Sequence, residues 1–138
     1  LKKQFGNHFP NRVSISFFQN RLEKQNENII SNYVLDHLKN KITGSVHQSV
    51  LKNLTLELRF VFQDREGTYT QFSSGNQGNE VNYSPFWMFD SKMVYSRQKW
   101  NVYLSVNNLF DVSYYDIGNV AQPGRWVKAG FLYRLDFN

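Results

Sequence analysis

Hydrophobic and polar residues alternate along most of the chain with a repeat of two residues. The clearest segment runs from Leu54 to Gln63, where Leu or Phe fills every even position and polar residues fill most odd positions. Because successive side chains of a β-strand point to opposite faces, this pattern predicts a strand with one apolar and one polar face. No segment of useful length shows the 3.6-residue apolar repeat of a helix. The chain is therefore predicted to be all-β.

Six segments show this alternation, and each is predicted to form one strand. They cover about 12–19, 41–50, 54–63, 86–96, 100–107 and 127–137. Their polar positions include charged residues, namely Glu57, Arg59, Asp90, Lys92, Arg134 and Asp136. Such charges are costly in a dry core but acceptable in a water-filled or plugged interior. We therefore expect the polar faces to line such an interior and the apolar faces to contact lipid.

The connections between the predicted strands are alternately short and long. Residues 50–53 and 97–99 leave room only for tight turns, whereas 20–31, 64–84 and 111–125 are long. Outer-membrane β-barrels have short turns on the periplasmic side and long loops outside. By this pattern the last strand is expected to run inward and to end in the periplasm.

Aromatic residues lie near both ends of the predicted strands. Those near the inner ends are Tyr95, Trp100, Tyr133 and Phe137, and those near the outer ends are Trp87 and Phe89. Aromatic girdles at both interfaces are typical of outer-membrane barrels. Since the smallest membrane barrels use about eight strands, these six cannot close around a solvated interior. The chain is thus predicted to be an antiparallel transmembrane segment of a larger β-barrel.

Composition excludes several other classes of protein. No apolar run approaches the length of a membrane-spanning helix, and mean hydropathy is negative although aromatic residues make up 17% of the chain. Cysteine is absent, so disulfides, thiolate chemistry and Cys-ligated metals are excluded. The net charge of +5 is spread along the chain without a basic run, which argues against a nucleic-acid partner.

The final third of the chain contains an ordered set of short motifs. They are Asn108-Leu109-Phe110-Asp111, then Tyr114-Tyr115, then Pro123-Gly124-Arg125 and Gly130. Their order and spacing resemble the ending of TonB-dependent outer-membrane receptors, in which an N-L-F-D element closes the penultimate strand and a P-G-R element opens the last. The ending is more similar to the vitamin B12 and iron-siderophore receptors than to the starch-type receptors. The run at 33–38 resembles Bacteroidetes members of the family.

The resemblance implies that residues 1–138 form about the last six strands of a barrel of about 22 strands, without its plug domain. It implies an active transporter of the bacterial outer membrane that imports a scarce nutrient such as cobalamin or an iron-siderophore complex. The implied partners are the rest of the barrel and its plug, outer-membrane lipid, TonB through a missing N-terminal part, the barrel-assembly machinery and a surface lipoprotein. No cofactor is implied.

The last predicted strand also resembles the signal that the barrel-assembly machinery recognises. The matching residues are Lys128, Gly130, Tyr133, Leu135 and Phe137. Asn138 departs from the usual pattern, because it follows the aromatic residue that normally ends such chains.

Physical roles can be assigned to the motif residues beside the family resemblance. Gly124 is expected to turn the backbone with a positive φ, and Gly130 to face the interior and leave room for a neighbouring side chain or the plug. Asp111 and Arg125 flank the same long loop, so an ion pair between them is expected to brace its base.

The sequence contains no sign of an enzyme or of a metal site. The run at 32–39 is expected to extend the second strand beyond the membrane, which places His37 and His47 on one face of the same long strand. About 34 Å would separate them, too far to share an ion. No nucleophile, zinc-protease or phosphate-loop motif occurs. The charged pairs Glu57 with Arg59 and Asp90 with Lys92 are expected to be interior charge ladders.

Ligand contact, if this segment provides any, is expected in the long outer loops. Their aromatic residues are Tyr69, Phe72, Tyr83, Tyr114 and Tyr115. Amphipathic rings suit bulky ligands, but the same rings can pack one loop against another, and the sequence leaves both readings open.

Two other functions also stay open: a passive porin-like barrel, which would lack a plug, and a soluble ligand-binding β-barrel, which would need no detergent for extraction.

Overall fold

The computed structural model describes residues 2–3, 11–21, 37–73, 76–116 and 120–135. Within these ranges strands are the regular secondary structure, and the prediction of an all-β chain is confirmed. These residues include no helix with the length and apolarity needed to cross a membrane.

Eleven strands are present in the described ranges. In chain order they are β1 (Lys2–Lys3), β2 (Arg12–Gln19), β3 (His37–Leu51), β4 (Leu54–Glu66), β5 (Thr68–Ser73), β6 (Asn76–Asn82), β7 (Phe86–Ser96), β8 (Trp100–Asn107), β9 (Tyr115–Asp116), β10 (Val120–Ala121) and β11 (Trp126–Tyr133). Seven of them form one sheet in the order β1-β2-β3-β4-β7-β8-β11. All neighbours in it are antiparallel, so the sheet is a meander with open edges at β1 and β11.

The two remaining pairs of strands are insertions in this meander. β5 pairs with β6 between β4 and β7, and β9 pairs with β10 between β8 and β11. The six predicted strands are the six long strands of the main sheet. The described part of this sheet does not close into a barrel.

The alternation predicted some strand bounds better than others. β2, β7 and β8 have the predicted bounds, but β3 begins at His37 and β4 continues to Glu66. A register shift between Leu38 and Asn40 interrupts the alternation there, while pairing of β3 with β4 continues beyond it. The last strand ends at Tyr133, and Phe137 lies outside the described residues.

The same register shift corrects the expectation that His37 and His47 share a face. His47 lies opposite Glu57 on the polar face, but His37 lies opposite Glu66, nine positions further along β4 and therefore on the other face. A bulge of one extra residue moves all later side chains to the opposite face. The conclusion that the two histidines cannot share an ion stands.

Short and long connections lie at opposite ends of the sheet. The turns at 52–53 and 97–99 define its turn end, where the backbone N–H of Ser96 donates to the Asn53 carbonyl (2.8 Å) and that of Arg134 donates to the Lys99 carbonyl (2.7 Å). The connections at 67–85 and 108–125 define its loop end. Most of the predicted long connection at 20–31 lies outside the described residues.

The sheet is a single layer without a hydrophobic core. Across the described ranges no hydrophobic side chain is buried, and Leu104 and Phe131 are 48% and 65% exposed. A folded domain normally covers the apolar face of a sheet with a second layer. Here the described structure leaves that face uncovered.

Candidate functional site

The register aligns side chains in rows that run across the six long strands. On the apolar face the two central rows are mostly aliphatic. Their members include Val13, Val46, Leu58, Val106 and Val127 in one row, and Leu56, Met93, Leu104 and Ala129 in the next. Within the six long strands both rows are uncharged, with Ser91 and Gln48 as polar members, while β1 places Lys3 opposite Val13 at the edge of the sheet.

Aromatic residues flank these aliphatic rows at both ends. The loop-side aromatic band consists of Phe17, Phe60, Phe62, Trp87 and Phe89, and the turn-side aromatic band of Tyr95, Trp100, Phe131 and Tyr133. Ring contacts connect neighbours within each band, at 5.0 Å between Phe62 and Trp87 and 6.2 Å between Trp100 and Phe131. The predicted positions of Trp87, Phe89, Tyr95, Trp100 and Tyr133 near the strand ends are confirmed.

The opposite face carries four of the predicted charges, which are Glu57, Arg59, Asp90 and Lys92. Arg134 follows the end of β11, and Asp136 lies outside the described residues. One row contains a residue from every long strand: Arg12, His47, Glu57, Lys92, Ser105 and Lys128. In the next row Arg59 lies opposite Asp90. Opposite charges thus meet across the β4–β7 pair in both rows, an arrangement that stabilises a sheet modestly.

Polar side chains on this face line a depression of about 260 Å³. Its charged residues are Glu57, Arg59, Asp90, Lys92 and Lys128, with Tyr103, Ser105 and Asn107 beside them. Arg59 Nε donates to Glu57 Oε1 at 2.7 Å. The Lys92 and Lys128 ammonium groups lie over the rings of Tyr103 (5.3 Å) and Trp126 (3.6 Å). The expected interior charge ladders therefore take the form of one ion pair and two cation–π contacts.

A second depression, of about 890 Å³, lies at the turn end. It is lined by Lys52, Asn53, Ser96, Arg97, Gln98, Lys99, Trp100 and Tyr133. Arg97 Nε donates to the Tyr95 hydroxyl at 2.9 Å, and its guanidinium lies 5.6 Å from the centre of the Tyr95 ring. Cations and rings of the turn-side aromatic band therefore meet at this edge.

The N-L-F-D motif forms a tight turn at the loop end. Asn108 is 2% exposed and has a φ of 52°, in the left-handed region where Asn is one of the few tolerated side chains. Its Nδ2 donates to the Val112 carbonyl (2.8 Å), its Oδ1 accepts the Val112 N–H (2.9 Å), and its own N–H donates to Asp90 (2.9 Å). The Leu109 N–H donates to the Phe89 carbonyl at 2.7 Å. Asn108 thus fixes the turn to β7.

Phe110 extends the apolar face beyond the end of β8. Its side chain is 66% exposed, and its ring meets the edge of Phe89 at 5.3 Å. It therefore continues the loop-side aromatic band onto the turn.

The rest of the motif closes the base of the 108–125 loop in a different way from the one expected. Asp111 Oδ1 accepts the backbone N–H of Arg125 at 2.6 Å, while the Arg125 guanidinium donates to the Leu109 carbonyl at 3.5 Å. The expected ion pair between Asp111 and Arg125 is thus replaced by a bond to the backbone. Asp111 itself has a positive φ of 57°.

Gly124, which follows Pro123, was expected to need a positive φ, and this expectation is wrong. In the described chain the glycine with a positive φ is Gly67. Gly124 is instead required for space, because a Cβ there would collide with Asp111 Oδ1. Sequence reasoning identified the residue but not its role.

Gly130 faces the polar side, as expected. The space above it is filled by the Tyr103 ring, which a Cβ on Gly130 would strike. Within the resemblance to an assembly signal, Lys128 lies beside Trp126, and Tyr133 and Leu135 are exposed.

The loop aromatics pack against one another. Tyr69 of β5 stacks on Tyr115 of β9 with ring centres 4.2 Å apart, and Tyr83 lies 5.3 Å from Tyr69. Tyr114 stacks on Phe86 at 4.5 Å. The two inserted hairpins therefore meet through rings, which favours the loop-packing reading for these four tyrosines. The side chain of Phe72 lies outside the described structure.

Among the described residues no group of His, Asp and Glu side chains could hold a metal ion. No protein-family model, curated protein or solved structure matched the chain. The functional reading therefore depends on the two faces of the sheet and on its loop-end motif.

Proposed function

We propose that this chain is part of the wall of a TonB-dependent active transporter in the bacterial outer membrane. The observation that carries the proposal is the uncovered apolar face, with aliphatic rows between two aromatic bands. From the Trp100 row to the Trp87 row the bands span about ten residues, or about 34 Å along the strands, which a tilt of about 40° reduces to about 26 Å. The apolar band of outer-membrane barrels is about 25 Å tall.

The polar face supports the same orientation. Its charged row would be costly in a dry core, while a solvated or plugged interior can hold it. The long connections at the loop end would then lie outside the cell and the short turns in the periplasm. The open edges at β1 and β11 would pair with the rest of the barrel, since unpaired backbone groups in lipid cost several kcal/mol each.

The transporter class is supported by the resemblance of the N-L-F-D to P-G-R ending. The geometry gives that ending a physical role, because Asn108, Asp111 and Gly124 together close the loop that precedes the last strand. The proposed cargo is a scarce nutrient such as cobalamin or an iron-siderophore complex, which the complete barrel would bind outside and a TonB-moved plug would admit.

Uptake by cells with and without the complete gene tests this function. We expect the protein in the outer-membrane fraction, and uptake of labelled cobalamin or ferric siderophore that is lost when the gene is deleted or a protonophore is added. A Ser49→Ala variant, altered at an exposed position of β3, serves as the expression control. Uptake that persists without energy would indicate a passive porin, and release of the protein without detergent would indicate a soluble β-barrel.

A further inference from the structure

The turn end of the sheet concentrates positive charge on the edge of the apolar face. Lys52, Arg97 and Lys99 line the turn-end depression, and within its described lining there is no Asp or Glu. All three side chains belong to exposed residues. In the described structure Glu57 pairs with Arg59 and Glu66 lies 4.0 Å from His37, and no carboxylate pairs with Lys52, Arg97 or Lys99.

This depression is a fixed shape. The Arg97 N–H donates to the Trp100 carbonyl at 2.8 Å, which closes the 97–99 turn. The Ser96 N–H joins this turn to the 52–53 turn through the Asn53 carbonyl, and the Lys99 carbonyl accepts the N–H of Arg134, which follows β11. Since the backbone that carries Arg97 and Lys99 is bonded on both sides, the cations are presented from a defined frame.

Arg97 is also oriented toward the apolar side. Its Nε donates to the Tyr95 hydroxyl, and Tyr95 belongs to the turn-side aromatic band. The Tyr95 and Trp100 rings lie 5.6 Å apart, and Trp100 and Tyr133 line the depression. A ligand there would find guanidinium and ammonium groups at one end and an uncovered surface of aromatic and aliphatic side chains at the other.

We propose that the turn-end depression binds the headgroup of an anionic phospholipid in the adjoining membrane leaflet. The phosphate oxygens accept N–H bonds from Arg97, Lys99 and Lys52, a planar guanidinium being well suited to phosphate. The acyl chains lie along the aromatic band and the aliphatic rows. This inference deepens the proposed function, because it needs the apolar face to contact lipid.

The test uses the complete protein in nanodiscs of phosphatidylcholine, with and without one fifth phosphatidylglycerol. Phosphatidylglycerol retained by the protein is measured by native mass spectrometry. The wild type is expected to retain it in preference to phosphatidylcholine. Each charge removed by Lys52→Gln, Arg97→Gln or Lys99→Gln is expected to weaken retention about fivefold, and the triple variant on the order of 100-fold.

Matched controls make the same charge change on the other face. Lys92→Gln removes one cation from the polar face, as each single variant does at the turn end, and lipid retention is expected to stay at the wild-type value. Arg97→Lys keeps the charge but loses the planar group, and an intermediate loss is expected. An equal loss in the polar-face control, or no preference for phosphatidylglycerol in the wild type, would overturn the inference. Displacement of the lipid by millimolar inorganic phosphate would also overturn it, since the site would then bind free anion.

The two proposals fail in different ways. If the protein enters the nanodiscs but shows no lipid preference, only the headgroup site is wrong. If it stays outside the nanodiscs in every lipid mixture, the membrane assignment itself is wrong.

Discussion

The two faces of this sheet are made by the same strands but carry different side chains. Leu104 and Ser105 are consecutive in β8, yet one lies in an uncharged row and the other between Lys92 and Lys128. Each face also contains a glycine under an aromatic ring, Gly44 beneath Phe60 on the apolar side and Gly130 beneath Tyr103 on the polar side. Both faces therefore pack an aromatic ring over a glycine in the same way. They differ in the surroundings that we propose for them, which are lipid for the apolar face and a solvated or plugged interior for the polar face.

The largest expected effect comes from placing a charge on each face in turn. Leu104→Arg puts a cation in the centre of the apolar rows, and we expect it to destabilise the assembled protein by about 2–4 kcal/mol. Ser105→Arg, one position along, is expected to change stability by less than about 1 kcal/mol because the polar face is solvated. Urea unfolding of the complete protein in lipid vesicles measures both. Equal losses of stability in the two variants would contradict the proposal that the apolar face contacts lipid while the polar face is solvated.

The second effect concerns the point where the polar face meets the loop end. Asn108→Ala removes two side-chain bonds to Val112 from a buried residue at positive φ, with an expected cost of about 2 kcal/mol. Asn107→Ala is the neighbouring control, because Asn107 Oδ1 has no hydrogen-bond partner in the described structure. The same unfolding assay applies, and a larger loss in the control would contradict this account of the motif.

A third comparison adds a methyl group to the glycine on each face. Gly44→Ala and Gly130→Ala are each expected to cost about 1–3 kcal/mol, because the new Cβ displaces a ring. The loss from Gly44→Ala should shrink when Phe60→Leu is also present, and that from Gly130→Ala when Tyr103→Leu is present. Double-mutant cycles measure this coupling. Additive losses would show that the rings are not the cause.

The smallest expected effect is that of the polar-face ion pair. Glu57→Gln removes the carboxylate that Arg59 contacts, but the Arg59 side chain is 57% exposed, so the expected cost is below about 1 kcal/mol. Raising the salt concentration should reduce it further. A cost of several kcal/mol, unchanged by salt, would show that this pair lies in a dry environment and that the polar face is not solvated.

Local alternation predicted most of the main sheet. Strands such as Phe86–Ser96 and Trp100–Asn107 have the predicted bounds because most side chains there follow the repeat of two residues. The bulge near Lys39 in β3 was not predicted, since it breaks the repeat of two residues while backbone pairing continues. The periodic pattern predicts which side chains share a face, but it does not show where one strand contains an extra residue.

The loop-end motif was located by sequence, but part of its chemistry was assigned wrongly. Opposite charges at Asp111 and Arg125 suggested an ion pair, whereas the carboxylate binds a backbone N–H instead. Nearly every residue has a backbone N–H group, so the sequence does not show which of these groups a carboxylate will bind. For the loop aromatics, the sequence left both ligand contact and packing of one loop against another open. The stack of Tyr69 on Tyr115 joins hairpins that are far apart in the chain, and the sequence does not show such a contact.

Solvent accessibility along β8 is the most decisive measurement of which face contacts lipid. This chain has no cysteine, so single cysteines can be introduced from Asn101 to Val106, after any cysteine elsewhere in the complete protein is replaced, and labelled with nitroxide in lipid vesicles. We expect labels at Val102, Leu104 and Val106 to collide with oxygen and to be shielded from a water-soluble nickel chelate. Labels at Asn101, Tyr103 and Ser105 should be shielded from the lipid. Free access of the nickel chelate to Leu104, or shielding of Leu104 from both reagents inside a protein core, would contradict this expectation.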